Sequence, residues 1–147
     1  MERWDWIKAL GAGSATAVFL SLIVLPASQA GISPFPKPLG LAFAQELFGP
    51  VPLVVGLLFH YLYVTFWGVI YVLLFRDNFT FSSALVLGLV LWMLALTFFF
   101  PLVGWGLFGF AIGPRLITGS LALHLLFSIF LWTFCRWFFP AGTGRPQ

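Results

Sequence analysis

Two histidines are the only side chains in the apolar body of this chain whose type and spacing point to chemistry. His60 follows Gly49-Pro50 and His124 follows Gly113-Pro114, each eleven residues after its glycine, and the sequence holds no other histidine. Both lie ten residues beyond a proline within a long apolar run. At about 1.5 Å per residue, each would sit roughly 15 Å into a bilayer, near its middle. Imidazole nitrogens at that depth have few uses. They can bond to a carbonyl or hydroxyl across a helix interface, ligate a metal, or form part of a proton or substrate path. The sharpest expectation is a b-type haem held between two helices by His60 and His124 as axial ligands, with a chlorin or other pigment as its variant. The plainest is that both histidines are structural.

The flanking residues bear on that choice. Gly56, His60, Val64 and Gly68 recur every four residues and share one helical stripe, so the ring has missing side chains on either side of it. This leaves room for one porphyrin face. Ser120, His124 and Ser128 repeat the spacing, and the two hydroxyls would flank the other face. Gly13 and Ala17 form a small-xxx-small pair that lets two helices approach closely. Gly13, Ala17, Gly56, Gly68, Ser120 and Ser128 are therefore the expected packing positions.

Other chemistry finds little support. The four carboxylates, Glu2, Asp5, Glu46 and Asp77, fall in expected tails and loops, so no paired acid and base occupies a cleft. No phosphate-cradling loop, Ser-His-Asp set or HExxH helix is present. The one cysteine, Cys135, excludes an intrachain disulfide and a cysteine-cluster metal site, and reads as a packing residue. Seven Lys and Arg, scattered along the chain, form no nucleic-acid footprint.

The elements that must position these residues follow from composition. Of 147 residues, 61% are hydrophobic and only 7% charged, against the quarter usual in soluble domains. Four spans are expected, over about 9–29, 51–75, 82–104 and 116–139. Before the first, Met1 to Trp6 forms an amphipathic tail with tryptophans at headgroup level. Arg3 and Lys8 ahead of an apolar stretch, then Ser28-Gln29-Ala30, resemble a secretory signal, but the segment is expected to stay as a first span or signal anchor. Pro34, Pro36 and Pro38 forbid a continuous helix. Leu39 to Phe48 is expected as a short interfacial helix that caps the bundle, with Glu46 solvated.

Leu47-Phe48-Gly49-Pro50 with His60 and Phe66 matches Ala111-Ile112-Gly113-Pro114 with His124 and Phe130 in spacing. The expected fold is thus an all-α integral membrane protein, its four transmembrane helices arranged as two parallel-repeat hairpins about an axis along the membrane normal. Arg3, Lys8, Arg76, Arg136 and Arg145 fall on one side and Lys37 and Arg115 on the other. That asymmetry places the N and C termini in the cytoplasm.

His60 with Trp67-Gly68-Val69-Ile70-Tyr71, then Pro101-Leu102-Val103-Gly104-Trp105-Gly106-Leu107-Phe108-Gly109, then His124 resembles uncharacterised bacterial four-span inner-membrane proteins, the YagU-like group. The resemblance implies a four-span bundle in the bacterial inner membrane and brings no substrate, cofactor or catalytic residue. Nineteen Phe and seven Trp leave every span apolar all round, a surface for membrane lipid or for other protein. The expected role is a small, non-enzymatic accessory subunit of a larger respiratory or photosynthetic membrane complex. A haem b or chlorin protein is the first alternative and a small-molecule channel or carrier the second.

Overall fold

The structure is a computed structural model that describes residues 3–140, so Glu2 and Arg145 lie outside it. Among the described residues every regular element is helical. Four helices are long and apolar enough to cross a membrane: α1 (Arg3–Gln29), α3 (Leu53–Phe75), α4 (Phe81–Leu102) and α5 (Arg115–Phe138). A shorter helix, α2 (Leu39–Phe48), precedes α3. The chain is an integral membrane protein.

The element boundaries have local causes. Nothing between Trp4 and Gln29 breaks a helix except Pro26, which sits in the last turns, so α1 begins in the tryptophan-rich segment instead of at residue 9. Asp5 is therefore helical. It pairs with Arg76 at 3.2 Å, tying the start of α1 to the end of α3. Gly31, at a φ of 70°, stops α1 in the left-handed conformation that glycine adopts without penalty. Pro38 opens α2, and Gly49 (φ 73°) closes it. Thr80 caps α4 by accepting a 3.1 Å hydrogen bond from the Ser83 amide.

Near its end α4 widens into a π-helical turn over Ala95–Phe99. The cause is Pro101, which has no amide hydrogen and whose ring crowds the carbonyl one turn back. The Phe100 amide instead reaches five residues back, to the Ala95 carbonyl. Beyond Leu102 the glycine-rich reversal folds Trp105 inward, where it packs on Phe100 with ring centroids 5.3 Å apart.

Packing is organised by small residues. A Cβ on Gly68 would lie 2.6 Å from the Cα of Gly13, so α1 and α3 cross with their backbones in contact. A Cβ on Gly56 would lie 2.5 Å from the Cα of Leu41, which seats α2 on α3. Gly88 receives the Ser128 hydroxyl where α4 meets α5. In lipid, where apolar surface gains nothing by leaving its solvent, close approach of this kind sets which helices pair.

The resulting arrangement departs from the expected symmetry. α1 packs against α3, α4 against α5, and α1 also against α5, whereas α3 and α4 barely meet. An axis relating the two hairpins would make the α1/α5 and α3/α4 contacts alike. The difference is matched in the connections: α2 packs on α3 and has no helical counterpart before α5, where only the 3-10 turn Leu107–Gly109 stands.

Two buried clusters form the interior. One joins Ala9, Ala17, Tyr71, Leu87, Leu131 and Cys135 across α1, α3, α4 and α5. The other gathers Ala42, Leu96, Phe100, Trp105 and Leu116 beneath the connecting segments at the opposite end.

Candidate functional site: a cavity between the helices

Between the two clusters lies a partly open cavity of about 170 Å³. All five helices contribute to its wall: Leu20 and Val24 from α1, Phe43 from α2, His60 and Tyr63 from α3, Ala95 and Phe99 from α4, and His124 and Phe127 from α5. The structure thus brings the two histidines to one site. They reach it from α3 and α5, and α2 adds Phe43 to the same wall.

The gap between α3 and α4 is bridged by rings instead of backbone. Tyr63 and Phe99 stand edge to face at 5.5 Å, and Phe43 contacts both Phe99 and Phe59 at 5.5 Å. Such pairs are stabilised by their quadrupoles but can rotate apart without unfolding a helix. The π-helical turn places Ala95 and Phe99 on the cavity wall, and turns of this type recur at functional sites.

The two imidazoles are held differently. His124 Nδ1 lies 2.8 Å from the Ser120 carbonyl, one turn earlier on the same helix. Among the described residues its Nε2 makes no hydrogen bond. Among the described residues His60 Nε2, like Thr65 Oγ1 and Trp132 Nε1, is buried with no hydrogen-bond partner, although the Ala17 carbonyl of α1 approaches the His60 ring. An unsatisfied nitrogen of this kind costs about 1–3 kcal/mol.

The residues expected to make room for a porphyrin are filled by the protein itself. A Cβ on Gly56 would meet the backbone of α2 and one on Gly68 the backbone of α1, so both positions seat a neighbouring helix, although Gly56 also borders the cavity. Ser120 Oγ donates to the Ile117 carbonyl at 2.9 Å and accepts from Trp92 Nε1 at 3.1 Å. Ser128 Oγ donates to the His124 carbonyl at 2.9 Å and seats against Gly88. A cavity of about 170 Å³ is also small beside the roughly 300–1,000 Å³ of sites for drug-sized ligands. Haem b and chlorin, which are larger still than most such ligands, do not fit here. Among the described residues no group of three or more metal-ligating side chains gathers elsewhere.

Ala17 is fully buried on α1, next to the helix crossing at Gly13 and Gly68. Cys135 is buried in the first cluster. Sequence reasoning missed the aromatic closure by Phe43, Phe59, Tyr63 and Phe99, because aromatics occur on every face of every span. It also missed the π-helical turn, for which Pro101 was the available signal. No protein-family model, curated protein or solved structure matches the chain.

Proposed function

We propose that this membrane protein binds a small apolar molecule between its helices, with His60 and His124 supplying the polar contacts. The observation that carries the proposal is a cavity that all five helices share, with both histidines in its wall. The size agrees, since an apolar cavity of roughly 150 Å³ takes up benzene. The ring-closed gap between α3 and α4 provides a route from lipid.

An accessory role in a larger respiratory or photosynthetic assembly would draw on the apolar outer faces of the helices, and lipid covers such faces equally well. The bacterial inner membrane is the location that the four-span likeness implies. For orientation, Arg76 pairs with Asp5 at the same end as Lys8, which stands over Phe139, while Lys37 bonds Gln45 at the end capped by α2. Grouping of the basic residues at the first end supports cytoplasmic N and C termini.

The test is to purify the protein in its native lipid, extract it with organic solvent and identify what co-purifies by mass spectrometry, beside a Leu123→Trp variant that fills the cavity. A small molecule in stoichiometric amount with the wild type and depleted in the variant supports the proposal. Equal yields of every extracted species from the two proteins would refute it.

A further inference from the structure

We infer that the cavity fills and empties sideways from lipid, through the seam between α3 and α4, and that the Phe99 ring is the door of that seam; the inference rests on the binding role proposed above. On its other sides the space is walled by elements in close contact. α1 meets α3 backbone to backbone at Gly13 and Gly68, α2 is seated on α3 at Gly40 and Gly56, and α4 takes the Ser128 hydroxyl of α5 at Gly88. α1 also packs along α5. The end that Ser28 and Ser33 line is covered by the connection from α1 to α2. There Pro34 sits on Gly119, and the Phe35 ring packs on Phe100 and Trp105 with centroids 6.4 and 6.0 Å away. Among the four spans, the seam between α3 and α4 is the side that lacks such contact.

The two helices are tied at their connected end, where Tyr71 Oη donates to the Thr80 carbonyl at 3.1 Å and lies 2.9 Å from Ser83 Oγ. The seam can therefore part only towards the α2 end, and one residue closes it there. Phe99 stands 5.5 Å from Phe43 of α2, 5.5 Å from Tyr63 of α3 and 5.2 Å from Phe98 on its own helix, centroid to centroid. Phe43, Tyr63 and Phe99 all line the cavity and are each half-buried, so the cluster faces inward on one side and outward on the other. Its outer flank runs into exposed rings: Phe98 directly, and Phe66 by way of Tyr63 and Trp67. In a bilayer acyl chains cover such a face, so whatever enters here comes out of the lipid. The ring pairs hold by contact and quadrupole, and a turn of the Phe99 side chain parts them with the helix ladders intact. Phe99 also ends the π-helical turn, two residues before Pro101, where α4 lacks one amide donor.

Exchange of fluorobenzene with the intact protein in lipid nanodiscs, followed by 19F NMR, tests the route. Phe99→Ala removes both ring pairs across the seam and should raise the entry and exit rates together, by about tenfold or more. Phe66→Ala, which removes an exposed ring off the cavity wall, should leave both unchanged. Phe99→Ala also enlarges the cavity. A slower exit with entry unchanged would mean that it acts by adding room alone, and would overturn the inference. The second arm holds the seam shut: Tyr63→Cys and Phe99→Cys, in a Cys135→Ala background, are joined after folding by a short bis-methanethiosulfonate linker that dithiothreitol removes. Exchange should nearly stop in the linked protein and return on reduction. Equal rates before and after reduction would show that fluorobenzene passes elsewhere, which overturns the sideways route and leaves the binding role standing. If fluorobenzene binds the wild type no more than it binds Leu123→Trp, the binding role falls and this inference with it.

Discussion

The crossing of α1 and α3 at Gly13 and Gly68 sets the geometry of the bundle, and one methyl group is enough to test it. In Gly68→Ala the new Cβ would lie 2.6 Å from the Cα of Gly13 and 3.3 Å from its amide nitrogen. Carbon atoms in contact rest near 3.5–4.0 Å, so the two backbones must part by about 1 Å. Neither can yield as a side chain would, and a gap of that size forfeits a quarter to a half of the dispersion energy along the contact. Overpacking of this kind costs roughly 1–3 kcal/mol. The gain in helix propensity from glycine to alanine, about 1 kcal/mol, offsets part of it. A net loss of about 0–2 kcal/mol relative to wild type is left, measured by reversible unfolding in mixed micelles. Gly11→Ala is the control, because its Cβ would meet only the ring edge of Phe138 at 3.0 Å, which can swing aside. Its stability should be unchanged or slightly raised. If Gly68→Ala is as stable as Gly11→Ala, the two backbones do not touch at this point and the packing argument fails.

Other perturbations probe the remaining contacts. Trp92→Phe removes the 3.1 Å hydrogen bond to Ser120 Oγ and should cost about 1 kcal/mol in the same unfolding assay. Asp5→Asn breaks the pair with Arg76, whose side chain is 43% exposed, and should cost less than about 1 kcal/mol, with the difference from wild type shrinking in high salt. Pro101→Ala restores an amide to α4 and should let the turn over 95–99 relax towards α-helix, read as slower hydrogen exchange of the residue 100–102 amides. Cysteines placed at Asp77 and at Gly113 in a Cys135→Ala background should react with a membrane-impermeant maleimide from opposite sides, the first only after the cytoplasmic face is opened; labelling of both from one side would contradict the four-span arrangement.

Much of the fold was legible because hydropathy reports directly on span number. Four apolar runs separated by prolines and by Arg76-Asp77-Asn78 permit little else, and Pro38 and Gly49 bound α2 where sequence reasoning put it. The start of α1 was not legible, because the tail's tryptophans and charges suit an interface and nothing in them requires the helix to continue into the Asp5–Arg76 pair. Which helices touch was legible only in part. Gly13 and Gly68 were visible as close-packing residues, but that they meet each other depends on three-dimensional pairing that spacing does not encode.

For the site, shared spacing singled out two histidines that line one cavity, but it misread what surrounds them. A glycine four residues from a histidine is equally a space for a ligand and a seat for another backbone. Gly56 and Gly68 are seats, taken by α2 and α1. The space that remains runs past His60 and Gly56 towards the gap where α3 and α4 separate, which rings close. That separation coincides with α2, the one element that has no copy in the second half of the chain. The departure from symmetry is thus what makes the cavity. Two equally packed hairpins would bring α3 against α4 as closely as α1 lies against α5, and the two imidazoles would then be enclosed by helix instead of facing a shared opening.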